Sequence, residues 1–475
     1  MDYLLIAFYY SLPYLIALGA AGLLIALAGF AWQFPLLPAF AYLSVIFTFS
    51  SSRYGVVEGA ASTIYSRGSG QLFFPVLIWL LLLGAIWMSM ARYGLIQRRD
   101  TRAAVSAPPT TIQRWFLLWF ILMLCHVMVG LLLQQPLTEI LDSNGFIQIP
   151  IVGLLITLMV AGAETRRAVH WLALFIELAA FFKALFGLGR WAAFGGDPAN
   201  IYANVEKLAV KLTFFEIGDS LICLLGMAIA VSMLFIRRAE NEPPWRRALH
   251  YAVLGLGLAC VVLSFRRTAW LGLVMAFAWL LWQLNARQRF AAVALAAPVL
   301  FAAIGFVAAR RLGTQTDKLG FMGFFYDLWG SRYHTEGARV LELRLAADEF
   351  FASPIWGNGA WGRYAATRQI GWQDPVRPGN FLHSGLLHIA MKTGLIGLCL
   401  LAGTLLSFVR RVRSLGGGTA DEQALVAGAC MGLLFMLPDF LGGTPTVQFR
   451  TMQLLGVCLA LPFFVARARA LRRTA

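Results

Sequence analysis

Residues Asn380–Leu398 read N-F-L-H-S-G-L-L-H-I-A-M-K-T-G-L-I-G-L, and the apolar run continues to Phe408. A helix rises about 1.5 Å per residue, so a run of this length crosses the roughly 30 Å hydrocarbon core of a bilayer. It opens on His383 and Ser384 and closes on Arg410, Arg411 and Arg413. Basic residues collect on the cytoplasmic side of membrane helices. The histidine and serine therefore belong to the outer face, and the same reading extends along the whole chain.

Composition agrees. Of 475 residues, 59% are hydrophobic and 13% charged, and the mean hydropathy is +0.71. A soluble protein of this length needs far more polar surface. The apolar runs lack the period-2 alternation of a barrel strand, so helices are the spanning elements. Spans are predicted near 3–30, 36–50, 71–94, 115–135, 147–163, 168–189, 208–236, 249–265, 268–284, 291–309, 384–408, 424–441 and 451–466. The expected fold is all-α, a single integral membrane domain over 1–475 with about 12–13 transmembrane helices. Segment 36–50 is short for a crossing, and 3–30 carries Pro13. The N-terminus has no basic stretch followed by a cleavage site, so no removable signal peptide is expected.

The net charge is +16. Most of it sits in short loops, where it sets topology and meets anionic lipid head groups, so nucleic acid is not an expected partner. All six cysteines lie in apolar runs without a C-x-x-C pair, which argues against zinc and disulfides. The basic loops at Arg98–Arg114, Arg166/Arg167, Arg237–Arg247, Arg287/Arg289, Arg410–Arg413 and Arg467–Arg473 alternate consistently and are placed in the cytoplasm. Loops 136–146, 190–207, the turn at Arg266/Arg267, 310–383 and 442–450 then face outward. Loop 310–383 is far longer than an ordinary connection. It is predicted to hold a helix over Ala338–Phe351, stopped by Ser353-Pro354 and followed by the glycine-rich turn Gly357-Asn358-Gly359.

Candidate chemistry gathers on that outer side. Arg266 and Arg267 separate two apolar runs with almost no loop. They either snorkel to head groups or grip phosphate oxygens, for which the guanidinium fork is well shaped. A neutral imidazole at His383 can take a proton from a sugar hydroxyl. His388 lies about 140° further round the helix and reads as a packed residue. Arg190 opens an outer loop, either as an interfacial anchor beside Trp191 or as a substrate contact, and Lys207 and Lys211 add a basic stripe. Glu177, Lys183, Glu216 and Asp219 are ionisable groups inside spans. Ion pairing, for example of Glu216 with Lys211 or Lys183, accounts for them as well as function does. Arg339/Glu342 and Arg344/Asp348 have the spacing of a solvated helix face, although Arg339 is also placed to turn towards an anion. Backbone N–H groups at Gly357 and Gly359 read first as a turn and second as a pyrophosphate nest. Walker A, HExxH, EF-hand and DxD patterns are absent.

Three segments, in order, resemble the O-antigen ligase and polymerase superfamily of bacterial membrane glycosyltransferases. Leu263–Leu271 (L-S-F-R-R-T-A-W-L) is similar to the family's S-R-x-A-W-L stretch, with Arg267 at the arginine position and Arg266 where serine is common. Arg339 through Phe350–Gly359 is similar to an arginine-led helix ending in P-x-x-G-x-G. His383-Ser384-x-x-Leu387 through Gly394–Gly397 is similar to H-N-x-x-L…G-x-x-G, with serine for asparagine and Lys392 where glutamate is frequent. The likeness covers roughly residues 180–400.

The resemblance implies a glycan donor linked to undecaprenyl pyrophosphate and an acceptor that is lipid A core or another glycan. The expected place is the bacterial inner (cytoplasmic) membrane, with the site facing the periplasm. It further implies inverting transfer without metal or other cofactor. Arg267, Arg266, Arg190 and Arg339 would hold the pyrophosphate and His383 would act as base, supported by Ser384, Gly357 and Gly359. Ligase, polymerase and transfer to protein are not separated by these residues. A transporter of lipid-linked glycan is the rival from another class and would show helices broken near the midplane. A non-catalytic assembly subunit is the blander third reading.

Overall fold

The structure, a computed structural model, describes residues 36–50, 110–141, 146–163, 167–197, 211–236, 242–294, 333–365 and 382–474, with 297–298, 301–302, 305, 370 and 379 besides. The expected spans 3–30 and 71–94 lie outside these residues, and 291–309 is described only in part.

The chain is helical throughout the described residues, apart from one antiparallel bridge between Tyr364 and Gly379. In order the helices are α1 (Leu36–Thr48), α2 (Thr111–Leu132), the short α3 (Leu137–Ile140), α4 (Gln148–Ala161), α5 (Ala168–Ala193), α6 (Ile217–Val231), α7 (Pro244–Val262), α8 (Arg267–Gln283), α9 (Tyr333–Ala352), α10 (Gly385–Ser414), α11 (Ala420–Gly442) and α12 (Phe449–Thr474). A π turn over Ser232–Ile236 extends α6. Six of these elements are long and apolar enough to cross a membrane, and in lipid only a helix satisfies all of its own backbone groups. This is a polytopic membrane protein.

Helix α6 is the hub. It packs against α5, α7, α11 and α12, and 78% of its apolar window is buried, against 33% for α2. Close approach is made with small residues, as is usual between helices in lipid. A Cβ on Gly226 of α6 would lie 3.0 Å from Val253 of α7, and one on Gly272 of α8 would meet the backbone of Phe435 in α11. Helix α2 instead turns Leu117, Phe120, Leu124, Met128 and Leu132 outward. In a membrane protein this is the lipid-facing surface.

The outer helix forms as predicted but begins earlier, at Tyr333, and packs along α10. The segments expected on the outer side do meet at one end of the bundle. Arg363 approaches Glu139 (3.4 Å), Gln148 donates to the Val447 carbonyl (2.9 Å), and Arg266 reaches Asp439 at the end of α11 (3.3 Å).

Candidate functional site

His383 sits just before α10, where Ser384 caps the helix by accepting a hydrogen bond from the Leu387 N–H at 3.2 Å. Its imidazole is held from the outer helix. Nδ1 lies 2.8 Å from Oε2 of Glu342, and the same oxygen accepts the His383 backbone N–H at 3.1 Å. The other carboxylate oxygen of Glu342 accepts the Tyr364 hydroxyl at 2.9 Å. Glu342 is wholly buried, whereas the His383 side chain retains 16% exposure. An ionised carboxylate surrounded by three donors fixes the tautomer with hydrogen on Nδ1, which makes Nε2 the basic nitrogen. Burial and the neighbouring Glu342 charge raise the Tyr364 hydroxyl well above the usual phenol range, so it stays a donor.

Glu342 was expected on a solvated face with Arg339. The structure separates the two: Arg339 is exposed and Glu342 turns inward. The i,i+3 spacing is compatible with either arrangement, and α10 decides by covering the Glu342 side of α9.

The arginine pair is presented by a strained turn. Phe265, between α7 and α8, has φ +51°, a conformation that costs a bulky residue about 1–3 kcal/mol. It is kept there by packing with Leu212, Phe215 and Trp270. Arg266 donates to the Phe215 carbonyl and to Asp439, which also accepts the Thr268 hydroxyl at 3.2 Å. Arg267 begins α8, half-buried. Phe440, next to Asp439, lies 3.2 Å from where a Cβ on Gly385 would stand, so the arginine turn and the histidine junction meet across the end of α11.

Arg190 joins the same region from α5. It bonds the Thr213 carbonyl (2.6 Å), pairs with Asp197 (2.8 Å) and lies over the rings of Phe186 and Phe214. Asp197 in turn accepts the Phe215 N–H at 2.8 Å. Arg190 and Arg266 thus flank segment 213–215, each with a carboxylate partner.

Gly357 (φ +77°) and Gly359 (φ +88°) form the expected turn, but their N–H groups do not line a nest. Gly357 donates to Ser353, Asn358 to Met391 and Gly359 to Lys392. The carbonyls of Met391 and Lys392 accept from this turn where α10 is broken at Gly394 (φ 59°, ψ −155°). Beyond the break, the N–H groups of Leu395 and Ile396 donate to Pro354 (2.8 Å) and Ile355 (3.3 Å). Lys392 aims its ammonium at the carbonyls of Ala360 and Gly362, both at 2.8 Å. His388 is buried, with Nδ1 3.0 Å from the Thr446 hydroxyl.

The ionisable groups inside the spans form ion pairs. Asp219 contacts Lys183 (2.7 Å) and Arg450 (2.6 Å), and Glu216 contacts Arg450 (3.1 Å). Glu177 pairs with His250 (2.5 Å), which also meets Glu242 (2.8 Å). Arg450 was not singled out from the sequence. Its signal is a lone arginine among Gln448, Thr451 and Gln453 at the start of an apolar helix. Among the described residues no three His, Cys, Asp or Glu side chains converge as metal ligands.

Fold and site therefore define a polytopic membrane protein whose cationic and histidine-bearing segments converge at one end. Residues 251–402 match the family model described as O-antigen ligase, which supports the likeness to the O-antigen ligase and polymerase superfamily. The matched stretch runs from α7 into α10 and includes Arg266, Arg267, Arg339, Glu342, Gly357, Gly359 and His383, but not Arg190. Family-level function lies in surface polysaccharide synthesis, with a lipid-linked glycan and a glycan acceptor as partners. No curated protein matches the chain.

Proposed function

We propose that this protein transfers a glycan from undecaprenyl pyrophosphate to an acceptor hydroxyl, on the face of the inner membrane opposite its basic loops. The observation that carries this reading is the 2.8 Å contact between buried Glu342 and His383, in a site that also gathers arginines. A carboxylate on Nδ1 turns the imidazole into a directed base, because it holds the ring and stabilises the imidazolium that forms.

In the reaction, the acceptor oxygen attacks the anomeric carbon from the face opposite the leaving group. The new C–O bond forms as the bond to the pyrophosphate oxygen breaks, which inverts the configuration. The acceptor proton passes to Nε2 of His383, and the electron pair leaves with undecaprenyl pyrophosphate. Arg267, Arg266, Arg190 and Arg339 supply the positive charge that stabilises this leaving group, so the step as drawn needs no metal. Ser384 caps the helix that carries the base, and Gly357 and Gly359 hold α9 against α10.

The transporter reading gains a broken helix at Gly394. The backbone groups freed by the break are taken by the turn Pro354–Gly359, whereas a transporter uses such groups for its cargo. The deciding experiment mixes purified protein with undecaprenyl-pyrophosphate glycan in EDTA, offering lipid A core in one arm and a second lipid-linked glycan in the other. Transfer by wild type and none by His383→Ala supports the proposal, and the accepted substrate distinguishes ligase from polymerase. Donor binding without transfer to any acceptor would return the weight to transport or assembly.

A further inference from the structure

The stretch Phe350–Gly362 reads F-F-A-S-P-I-W-G-N-G-A-W-G: thirteen residues with no charge, two phenylalanines and two tryptophans, in what the sequence marks as a loop. Two helices measure its depth independently. Ile355 is bonded through its carbonyl to the Ile396 N–H of α10. Ile396 lies fourteen residues from Arg410 at the basic end of that helix, about 21 Å at 1.5 Å per residue. The neighbouring Trp356 stacks on His126 of α2, with ring centroids 4.4 Å apart and planes at 7°. His126 lies twelve residues from Arg114, about 18 Å from the basic end of α2. Both measures fall inside a hydrocarbon core of about 30 Å.

Non-helical backbone survives at that depth only if its polar groups are satisfied by protein. Here they are. The carbonyls of Ser353, Pro354, Ile355, Gly359, Ala360 and Gly362 accept from Gly357, Leu395, Ile396, Gly362 and, for the last two, Lys392. The Gly357 carbonyl accepts the Ser353 hydroxyl at 2.9 Å. Yet Ile355 and Phe351 leave 66% and 72% of their surface uncovered. They continue the lipid-facing surface of Leu395 on α10 and of Leu124 and Met128 on α2.

We propose that Pro354–Gly359 is a re-entrant turn embedded in the leaflet remote from the basic loops, with Ile355 and Phe351 in contact with lipid acyl chains. It acts as an anchor. Helix α9, which carries Glu342 to His383, is fixed at its C-terminal end to the membrane as well as to α10. This inference rests on helix register and hydrogen bonding and does not depend on the reaction proposed above.

The test places a nitroxide at Ile355→Cys in full-length protein in which the two exposed cysteines, Cys125 and Cys399, are replaced by alanine. The protein is reconstituted in phosphatidylcholine–phosphatidylglycerol vesicles. Leu124→Cys serves as the lipid reference and Arg344→Cys as the aqueous one. The expected result is that collisions with oxygen exceed those with a water-soluble nickel chelate by the same several-fold ratio as at Leu124→Cys. A ratio like that of Arg344→Cys overturns the proposal. In parallel, an apolar carbene reagent dissolved in the bilayer is photolysed with the unmutated protein, which removes any dependence on variants. Label on the Phe350–Trp361 peptide is expected, and a peptide as unlabelled as that bearing Arg344 rejects the turn.

Discussion

The backbone nitrogen of Gly357 lies 2.7 Å from where a Cβ on Gly394 would stand. Two glycines 37 positions apart are thus required by a single contact, in which the outer loop is spliced into a broken helix. A Cβ on Gly357 would in turn lie 2.5 Å from the Thr393 nitrogen. These obstacles are backbone atoms, which cannot rotate away.

Alanine at either position should therefore unseat the loop. The backbone of Gly394, at φ 59° and ψ −155°, is in a region that only glycine occupies freely, and strain of this kind costs about 1–3 kcal/mol before any clash. Gly394→Ala and Gly357→Ala are expected to lower the melting temperature in detergent markedly and to abolish transfer. Gly255→Ala, a helical position with nothing within 4 Å of the added Cβ, should leave both unchanged or gain up to about 1 kcal/mol of helix propensity. Equal behaviour of the three variants would show that the splice does not hold the fold.

The fold was legible in the sequence where one helix satisfies itself. Ten of the described helices lie on the expected apolar runs, because in lipid the hydrophobic length and the basic flanks decide, although α6 starts nine residues later than its run and α12 ends eight residues beyond it. The outer helix was legible from its periodicity and its Ser353-Pro354 stop. Long-range partnership was not legible. Nothing near Glu342 says that its partner is His383, 41 positions later, and nothing near Asp219 says that Arg450 reaches it from 231 positions away. The Gly357 turn was recognised, but the fate of its N–H groups depended on a helix break at Gly394 that an unbroken apolar run conceals.

Glu342→Gln should separate charge from shape. A glutamine can still accept from the Tyr364 hydroxyl or the His383 N–H, but it cannot stabilise an imidazolium on Nδ1. General-base catalysis is worth roughly 10²–10⁴-fold, so kcat should fall by at least about tenfold with little change in donor KM. The double variant Glu342→Gln/His383→Ala should be no slower than His383→Ala alone, because the two act as one unit. Additive losses in single-turnover assays would disconnect them.

Tyr364→Phe bears on the same pair through pH. With its hydroxyl raised above the usual phenol range by burial and Glu342, Tyr364 stays protonated in the fold at pH values where an exposed tyrosine ionises, near 10. Below that pH both folded and unfolded forms carry the proton, so Tyr364 gives stability no pH dependence there. As pH rises past about 10 the unfolded chain loses its proton first, and stability falls. Wild type should accordingly lose melting temperature more steeply above pH 10 than Tyr364→Phe. Parallel curves from pH 7 to 11 would mean that this hydroxyl is not buried against a carboxylate.

Arg450 and Arg339 should differ in what their loss removes. Arg450 is fully buried, and its three nitrogens point to Ile46, Glu216 and Asp219 at 2.6, 3.1 and 2.6 Å. Lysine carries its three donors on one nitrogen and cannot span the acceptors that the wider guanidinium fork reaches. Arg450→Ala would take the guanidinium away from two buried carboxylates, Glu216 and Asp219, and breaking a buried pair costs about 3–5 kcal/mol. Poor accumulation or a strongly lowered melting temperature is expected from it, and a smaller drop from Arg450→Lys. Arg190→Ala should resemble Arg450→Ala, since Asp197 is almost wholly buried. Arg339 is exposed on α9, and substitutions at such positions usually change stability by less than about 0.5 kcal/mol. If Arg339 meets the donor pyrophosphate, Arg339→Ala will melt like wild type while donor KM rises severalfold. An unchanged KM would remove it from the cradle and leave the charge there to Arg190, Arg266 and Arg267.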